Sequence, residues 1–397
     1  MRIINIRLVL ESDDGGIRQS ERQYIPELKR RDIDVIGVVL GQNFGNYVDQ
    51  MEDFGCLINW SPSPYSKGVL SRCTGFLKNY LNAAAVARHI LKQISSPELL
   101  SNFSSITINI RRITLLPIAF ALAKSLHGRV IYHSGSSFSR GPFGINYIFY
   151  WALRNARSLT MLANSKYSRD SYRLKEENYV YPGVSHSRLA TTSAYSCIRE
   201  RLGIPRHAPV FLYLARVNWD KAPDLLLRAF IESVSAKKHS AHLIIAGPSQ
   251  DERLLEELRA LINSSDLRRS IHIVGKQTNV GDWYAVSDVF VNSRRGAEPF
   301  GISIVEAMAA GLPILSSALG GPSETIEEGY NGWLIGDLSV DGYCKGIETA
   351  LASREQWLTF AQRSLEMAKA FSVEKQVSRY LRYGLGVDAT YNSNQRI

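Results

Sequence analysis

The sequence predicts an α/β protein of two successive domains with a cleft between them. A chain of 397 residues exceeds what one compact core usually holds. Short β-rich runs alternate with helix-length amphipathic segments along most of the chain, which is typical of parallel sheets covered by helices. The apolar content of 45% and the aromatic content of 10% are those of a globular protein.

In the first half, strand-like and helix-like runs alternate from the first residues onward. The predicted strands are Ile3–Leu10, Asp34–Leu40, Ser105–Ile110, Arg129–His133, Thr160–Ala163 and Asn178–Tyr181. The predicted helices are Gly16–Arg31 and Leu115–Leu126. We interpret the N-terminus as a buried strand and not as a signal peptide, because Asn5 and Arg7 interrupt its apolar run. Pro182-Gly183 and the aperiodic stretch Ser185–Tyr195 predict the linker.

The second half restarts the same alternation. Its predicted strands are Val210–Leu214, His242–Ala246, Ile271–Val274, Val289–Asn292 and Ile314–Ser317. Its predicted helices are Pro223–Val234, Arg253–Ile262 and Ile302–Ala310. The last of these helices is followed at once by Gly311-Leu-Pro313, which predicts a sharp end.

Charge is distributed unevenly along the chain. Residues 1–190 carry 24 Lys and Arg against 14 Asp and Glu, whereas residues 191–397 carry 23 of each. Between Asp53 and Asp170, Glu98 is the only acidic residue among fourteen basic ones. Such a field favours an anionic partner, which could be a membrane surface, a phosphorylated lipid, an acidic saccharide or nucleic acid. An ordinary solvated surface that is basic would give the same pattern.

The four cysteines are far apart, and no two have the spacing of metal ligands or of a redox motif. We therefore expect a reducing, cytoplasmic environment. The sequence also lacks the compact modules that bind nucleic acid, such as zinc-ligand pairs or a basic helix followed by heptads, so nucleic acid is not an expected partner.

The segment from Ser293 to Pro313 carries the richest chemistry. A predicted strand ends near Asn292, a loop carries Glu298, and a helix begins near Gly301, with Glu306 inside it. The first N–H groups of a helix lack intrahelical partners and favour anions. Glycine lets a ligand approach the backbone closely. These features predict a polar-ligand site at the carboxyl ends of parallel strands, although a surface helix with two unrelated glutamates would also fit.

The pattern Glu298-Pro-Phe-Gly-Ile…Glu306-Ala-Met-Ala-Ala-Gly-Leu-Pro resembles the Glu-x7-Glu signature of the family 4 glycosyltransferases. The resemblance extends over nearly all of 208–336. It includes Tyr213-Leu-Ala-Arg216-Val-Asn-Trp-Asp-Lys221, His242–Gly247, Ile271–Gly275, Ala285–Ser293, Leu319–Glu324 and Gly329–Ile335. It implies the GT-B fold, in which two Rossmann-like, doubly wound parallel-sheet domains face a cleft. The expected limits are 1–188 for an acceptor-binding domain and 189–375 for a nucleotide-sugar-binding domain, with 376–397 crossing back.

The resemblance implies a role for each matching residue of the second half. Arg216 and Lys221 would hold the donor diphosphate in place of a metal ion, because an arginine fork and a lysine charge suit phosphate. Neither a metal nor another cofactor is therefore expected. Glu298 would contact hydroxyls of the transferred sugar. The backbone N–H groups of Phe300, Gly301, Ile302 and Ser303 would contact sugar and phosphate. Glu306 would bind the ribose hydroxyls. Gly275 and Lys276 would wall the nucleobase.

In the first half the resemblance rests on fewer residues. Gly15 and Gly16 lie where the family has a glycine pair after the first strand, near the donor or acceptor. Asn164-Ser165 and Tyr181-Pro-Gly-Val184 are similar to the family's closing strands. His133 lies where many members have a catalytic histidine, although Ser134-Gly135 follows it in place of the usual acidic residue. A histidine hydrogen-bonded at a strand end is the alternative.

The resemblance therefore implies a configuration-retaining, metal-independent hexosyltransferase that uses a nucleotide sugar. A front-face substitution is expected, with His133, Glu298, Arg216 and Lys221 as the catalytic set. The basic stretch 54–169 and the segment Lys67–Lys92 favour a lipid-linked or otherwise anionic saccharide acceptor at the inner membrane face. A small soluble acceptor is the alternative. The motifs fit other classes of protein less well, namely an epimerase or hydrolase, a structural module of this fold, a nucleic-acid-binding protein and a dehydrogenase.

Overall fold

Two compact units make up the chain. The first consists of Met1–Gly183 together with Val373–Ile397, and the second of Val184–Ser372. The computed structural model describes residues 3–10, 16–41, 56–60, 69–94, 103–138, 158–192, 195–236 and 240–387. The domain limits expected from the sequence lie a few residues further along the chain than this division.

A six-stranded sheet, in which every pairing is parallel, forms the centre of the first unit. Its strands are β1 (Ile3–Leu10), β2 (Ile33–Gly41), β3 (Cys56–Asn59), β4 (Ser105–Ile110), β5 (Arg129–Ser134) and β6 (Leu159–Ala163). The order β3-β2-β1-β4-β5-β6 is the doubly wound order, in which the chain starts mid-sheet and builds outward in both directions. All eight residues of β1 are buried, as expected for a parallel strand covered on both faces.

Helices cover the two faces of this sheet. They are α1 (Gly16–Arg30), α2 (Val69–Ile94), α3 (Leu116–Ser125) and α4 (Lys166–Ser171). Alternate β1 residues, including Ile6 and Leu8, pack with Ile90 of α2 and Leu122 of α3. Because side chains alternate across a strand, the remaining β1 residues face the other side of the sheet.

The second unit repeats this arrangement. Its strands are β7 (Val210–Leu214), β8 (His242–Ala246), β9 (Ile271–Gly275), β10 (Val289–Asn292), β11 (Ile314–Ser317) and β12 (Gly332–Ile335). Their order, β12-β11-β10-β7-β8-β9, again starts in the middle and builds outward, and every pairing is parallel. The carboxyl ends of β7 and β10, which are neighbours, therefore meet at one edge of the sheet.

The helices of the second unit are α5 (Tyr195–Arg201), α6 (Pro223–Ala236), α7 (Glu252–Ser264), α8 (Gly281–Ala285), α9 (Ile302–Ala309), α10 (Val340–Ala352) and α11 (Trp357–Ala368). Local sequence sets several of their ends. Asp251 caps α7 by accepting a hydrogen bond of 3.1 Å from the Leu254 N–H. The buried core combines aliphatic residues with Phe211, Phe230 and Trp357, whose rings contact edge to face.

The chain returns to the first unit in α12 (Val373–Tyr380), which packs against α1. Tyr380 is buried, and its hydroxyl accepts a hydrogen bond of 2.8 Å from the Asn5 amide and another from Asn109. These asparagines lie on β1 and β4, so the returning helix is attached to the central strands.

The predicted fold class is confirmed, and so are the bounds of Ile3–Leu10, Ser105–Ile110, Val210–Leu214 and Val289–Asn292. The predicted strand Asn178–Tyr181 is wrong, because this segment makes only an isolated bridge between Tyr179 and Ala163. The short strand β3 is an element that the sequence analysis did not find.

Two histidines on adjacent strands give the second unit an expected acid sensitivity. The His242 Nδ1 lies 3.2 Å from the His272 Nε2, and the rings are parallel. Burial, with the charges of His272 and Arg199, lowers the pKa of His242 to about 4, and burial lowers the pKa of His272. The unfolded chain, with a histidine pKa of about 6.5, therefore binds more protons below that pH.

We expect the free energy of unfolding to fall by about 1–2 kcal/mol for this pair as the pH falls from about 6.5 to about 4. The measurement is urea unfolding across this range for the natural chain and for the double variant His242→Gln/His272→Gln. The free energy of unfolding of the natural chain should depend more steeply on pH. Carboxylates titrate in both proteins, so the difference between the two slopes comes from the histidine pair. Equal slopes would contradict the prediction.

Candidate functional site

The loop after β7 carries both cations that the sequence analysis assigned to the diphosphate. The Tyr213 hydroxyl donates a hydrogen bond of 3.0 Å to the Arg216 carbonyl. Asn218 caps the turn that follows, since its side-chain oxygen accepts from the Lys221 N–H at 3.0 Å. The loop thus holds Arg216 and Lys221 at the carboxyl end of a central strand, with Arg216 exposed and Lys221 half-buried.

Gly247, at the end of β8, lets this loop lie close to the next one. Its φ of +143° disfavours other residues, and a Cβ there would lie 1.9 Å from the Ala215 carbonyl oxygen. The Gln250 side-chain oxygen, on the same loop, accepts from Arg216 at 3.1 Å and from Asn218 at 3.2 Å. In this structure Gln250 therefore contacts the Arg216 guanidinium.

The loop after β10 places Glu298 against Lys221. The Glu298 main chain is hydrogen-bonded to the segment beyond β11. Its N–H donates to the Leu319 carbonyl at 3.1 Å, and its carbonyl accepts from the Gly321 N–H at 2.7 Å. The Glu298 Oε2 accepts from the Lys221 Nζ at 2.5 Å and from the Arg294 Nη1 at 2.9 Å. Two residues that are 77 positions apart in sequence thus meet because their strands are neighbours.

Glu298 is an ionised carboxylate in this setting. Only 6% of its surface is exposed, and burial alone would raise its pKa. The charges and hydrogen bonds of Lys221 and Arg294 outweigh burial, so the net effect is a pKa below the usual value. Glu298 can therefore accept hydrogen bonds from hydroxyl groups and is a poor proton donor near neutral pH.

Helix α9 begins at the expected place, with Gly301 as its first flanking residue. The φ of Gly301 is +89°, and a Cβ there would lie 2.6 Å from the Ile304 Cδ1. The Phe300 side chain is buried and its ring centroid lies 5.8 Å from that of Phe371. Only the main chain of Phe300 can therefore serve a ligand, together with the N–H groups of Ile302 and Ser303 in the first turn.

Glu306, inside α9, is held on both carboxylate oxygens. Its Oε1 accepts from the Arg188 Nε at 3.0 Å, and its Oε2 accepts from the Tyr284 hydroxyl at 2.9 Å. Burial, and then the Glu306 charge, raise the pKa of Tyr284 well above its usual value, so this hydroxyl remains a donor. Each oxygen keeps a second lone pair for a further hydroxyl.

Two of the predicted donor residues lie at the end of β9. Gly275 has a φ of +68°, and a Cβ there would meet no other atom within 4 Å, so the backbone borders open space. Lys276 is exposed. These positions are compatible with a wall for a flat ring, and that role stays a prediction.

Two of the predicted residues of the first unit, Gly16 and His133, lie at the start of α1 and near the end of β5. Gly16 begins α1, whereas Gly15 lies outside the described residues. His133 is the penultimate residue of β5, is 2% exposed, and has its Nε2 3.3 Å from the Val180 carbonyl oxygen. Burial, and then the charges of Arg111 and Arg7, lower its pKa well below the usual value. His133 is thus a neutral, hydrogen-bonded histidine at a strand end, and its catalytic role stays a prediction.

The structure brings Lys221 and Glu298 into direct contact, and it places Arg216 on the same loop as Lys221. The sequence did not reveal the partners of the two glutamates, Arg188, Tyr284 and Arg294, nor Gln250, which contacts Arg216. Among the described residues, no group of three or more His, Cys, Asp or Glu side chains could hold a metal ion.

Comparison with solved structures identifies the fold of this chain. A crystal structure of Anabaena Alr3699/HepE in complex with UDP and glucose superposes with a TM-score of 0.74 at 18% identity, covering 97% of this chain and all of that one. WaaG, a glycosyltransferase involved in lipopolysaccharide biosynthesis, gives a TM-score of 0.65 at 15% identity, covering 95% and 99%. Together with the two parallel-sheet units, these similarities show a GT-B fold.

Sequence comparison adds a match within the second unit. Residues 196–367 match the family described as glycosyl transferases group 1. D-inositol 3-phosphate glycosyltransferase 2 of Catenulispora acidiphila is 28% identical over 200 residues, which is 48% of this chain and 46% of that protein. The chain thus spans about half the length of the curated relatives it matches.

Proposed function

We propose that this chain is a family 4 glycosyltransferase that moves a hexosyl group from a nucleotide diphosphate sugar to a saccharide or lipid-linked acceptor. Retention of configuration and independence of metal ions are part of the proposal, as is a role in cell-surface polysaccharide or glycolipid biosynthesis. The observation that carries it is the contact of Lys221 with Glu298, which joins a phosphate-type cation to the first glutamate of the motif.

The donor site follows from the groups of the second unit. Arg216 and Lys221 supply the positive charge that a metal would otherwise bring to a diphosphate leaving group. Glu298 accepts hydrogen bonds from the hexosyl hydroxyls, and Glu306 accepts them from the ribose diol. Gly301 and the first turn of α9 offer N–H groups to oxygen atoms of the donor. The structural similarity to the Anabaena protein, crystallised in complex with UDP and glucose, supports a donor of this chemistry.

A front-face substitution fits the electrostatics of Glu298. Lys221 and Arg294 both contact this carboxylate and lower its pKa, so it is a weak nucleophile. In the proposed reaction the bond to the anomeric carbon breaks as the acceptor oxygen attacks from the same face. The departing phosphate oxygen then takes the acceptor's proton. Lys221 and Arg216 stabilise the charge that develops on the diphosphate.

We propose that the first unit binds the acceptor, with His133 orienting it. The low pKa of His133 means that it acts as a neutral hydrogen-bonding group. Asn5, Arg7 and Asn109 form a buried, hydrogen-bonded polar cluster on the neighbouring strands β1 and β4. We place the reaction in the cytoplasm, which the free thiols of Cys197 and Cys344 support.

The direct test is release of the nucleoside diphosphate from UDP-, GDP-, ADP- and dTDP-sugars in the presence of EDTA. The variants Glu306→Gln and Arg216→Ala would be compared with Glu366→Gln and Arg259→Ala, which change exposed residues of α11 and α7. We expect slow turnover of one donor that resists EDTA and is lost only in the first two variants. Loss of activity with EDTA would contradict metal independence, and the absence of binding or turnover of every donor would contradict the proposal.

A small phosphorylated acceptor is the second candidate, because relatives are named D-inositol 3-phosphate glycosyltransferases. An excess of cations in the first half suits this acceptor as well as an anionic lipid. With the donor identified, acceleration of turnover by inositol phosphate in the absence of lipid would favour the small acceptor. Acceleration only by a lipid extract would favour the membrane-bound one.

The exposed face of α2 supports an acceptor at an anionic membrane. Tyr80 is 62% exposed and Leu81 is 69% exposed, whereas Ala83, Val86 and Ile90 are buried on the opposite side. Lys78, Arg88 and Lys92 are exposed on the same helix, which has no acidic residue. Apolar side chains flanked by cations are typical of helices that lie on anionic membranes. Among the described residues, no helix is long and apolar enough to span one.

We expect the protein to float with vesicles of phosphatidylglycerol and phosphatidylcholine at low salt. Replacing Lys78, Arg88 and Lys92 by glutamate should weaken binding by at least about 10-fold, since each cation near such a surface contributes about 1 kcal/mol. The matched control is glutamate at the exposed cations Arg259, Arg268 and Lys345 of the second unit. Equal flotation of both triple variants, or none of the natural protein, would contradict the membrane proposal.

A further inference from the structure

Arg294 connects two acidic groups, Glu298 and Asp220. Its Nη1 donates to the Glu298 Oε2 at 2.9 Å, and its Nη2 lies 2.7 Å from the Asp220 Oδ2. Its main-chain N–H donates to the Tyr343 hydroxyl at 3.0 Å. Arg294 is therefore anchored at its main chain and on the Asp220 side independently of Lys221.

Lys221 and Arg294 share one oxygen of Glu298. Both contact the Oε2, which has two lone pairs and can accept both hydrogen bonds. The other oxygen, Oε1, makes no hydrogen bond to the part of the chain that the structure describes. This arrangement keeps Oε1 available for a hydroxyl group of a ligand while Oε2 binds the two cations.

The proposed function gives Lys221 two partners at once. In this structure its ammonium group contacts Glu298 at 2.5 Å, and the proposed function also requires it at the donor diphosphate. If Lys221 turns toward the diphosphate, Glu298 loses its nearest counterion while it remains almost fully buried. A buried carboxylate that loses a counterion tends to gain a proton, and it would then no longer be a pure acceptor.

We propose that Arg294 is a positioning residue that keeps Glu298 ionised and in place when Lys221 binds the donor diphosphate. The inference rests on the proposed function and adds a residue that the Glu-x7-Glu pattern does not contain. Arg294 acts through Glu298 and does not itself contact the diphosphate. Asp220 and the Tyr343 hydroxyl hold it in the position that this task needs.

The test compares Arg294→Gln, which removes the charge, with Arg294→Lys, which keeps it. For the natural chain, each variant and Lys221→Ala, we would measure kcat and KM for the donor and the pH dependence of kcat. Calorimetry would give the Kd of the free nucleoside diphosphate. The probes are UDP-glucose and UDP, or whichever of the four donor pairs the natural chain binds.

For Arg294→Gln we expect kcat to fall by about 10- to 100-fold, because a misplaced catalytic group costs about 100-fold per ångström. The acid limb of kcat should move to higher pH, since a carboxylate that loses a cation has a higher pKa. The Kd of UDP should stay within about 3-fold, whereas Lys221→Ala should raise it by about 10-fold or more. Arg294→Lys should return the acid limb of kcat most of the way to its position in the natural chain.

Two results would overturn the inference while leaving the proposed function intact. A weakening of UDP binding by Arg294→Gln equal to that of Lys221→Ala would mean that Arg294 contacts the diphosphate directly. Unchanged kcat and an unchanged acid limb would mean that Arg294 only holds the loop. If Arg294→Gln unfolds, Arg294→Lys carries the test, with UDP binding and the acid limb read in the folded variant. A natural chain that binds no donor would refute the function and the inference together.

Discussion

Replacing Lys221 by alanine is expected to lower kcat for the proposed transfer by about 100- to 1,000-fold. The lysine stabilises the negative charge that develops on the diphosphate as it leaves. This charge exists in full only beyond the transition state. Lys221 is also the nearest counterion of Glu298, at 2.5 Å, so the variant disturbs the sugar-binding carboxylate as well. The measurement is steady-state nucleoside diphosphate release with the donor identified by the panel.

The matched control is Lys345→Ala, which removes an exposed lysine of α10 in the same unit. It should leave kcat and KM unchanged. Lys221→Arg should recover only part of the activity, because a guanidinium and an ammonium present their donors in different geometries. A loss of activity of less than about 3-fold in Lys221→Ala would be far smaller than the loss expected for a leaving-group cation, and it would contradict this role.

The five strands and three helices that were predicted in the second unit could be recognised because the sequence marks their ends, whereas β12 and the helices α5, α8, α10 and α11 were not predicted. Gly247 follows β8, and Gly311-Leu-Pro313 separates α9 from β11, so the apolar runs between them have definite limits. Glycine and proline act locally, through their own backbone preferences. A single sequence therefore contains the information that sets these boundaries.

The wrong strand at Asn178–Tyr181 depended on contacts that are not local. The Tyr179 ring lies between two guanidinium groups, with the Arg379 Cζ 3.7 Å and the Arg169 Cζ 5.4 Å from its centroid. The Tyr179 carbonyl also accepts a hydrogen bond from Arg379, which lies 200 residues further along the chain. The segment has a strand-like composition, but its partners come from α12 and α4.

Individual site residues could be predicted from the sequence when their residue type suits one chemical group of the ligand. Glu298, Gly301 and Glu306 lie on a loop and helix whose limits the sequence marks, and parallel strands bring the Lys221 loop to the same edge. Arg188 and Arg294 could not be found in this way. A basic residue in a loop has several carboxylates within reach, and only the folded structure determines which of them it contacts.

Arg7 is a residue that the sequence analysis used only as an interruption of the first strand. It is 2% exposed, and its guanidinium forms two hydrogen bonds with Glu21 of α1, one of them 2.7 Å long. Arg111, which follows β4, donates to the same carboxylate at 2.8 Å. One buried carboxylate thus serves two buried guanidinium groups next to His133.

Replacing Glu21 by glutamine is expected to lower the free energy of unfolding by about 3–5 kcal/mol, because it leaves both arginines buried without their counterion. Burial would raise the pKa of Glu21, but Arg7 and Arg111 outweigh it and hold the pKa at about 2. An unfolded glutamate has a pKa near 4.3, so this stabilisation is complete above that pH and decreases as the pH falls toward 2. The difference between the natural chain and Glu21→Gln in urea unfolding should therefore shrink below about pH 4.

Two further proteins test whether the buried charge is the cause. Glu176→Gln, at an exposed position of the same unit, should unfold like the natural chain. The double variant Arg7→Leu/Glu21→Gln should be less destabilised than the sum of its single changes, because removing both members of a buried ion pair leaves fewer uncompensated charges. Strict additivity, or a loss independent of pH, would mean that packing and not charge accounts for the effect. Sub-additivity would instead identify the Glu21 carboxylate as the counterion that stabilises the buried Arg7 guanidinium.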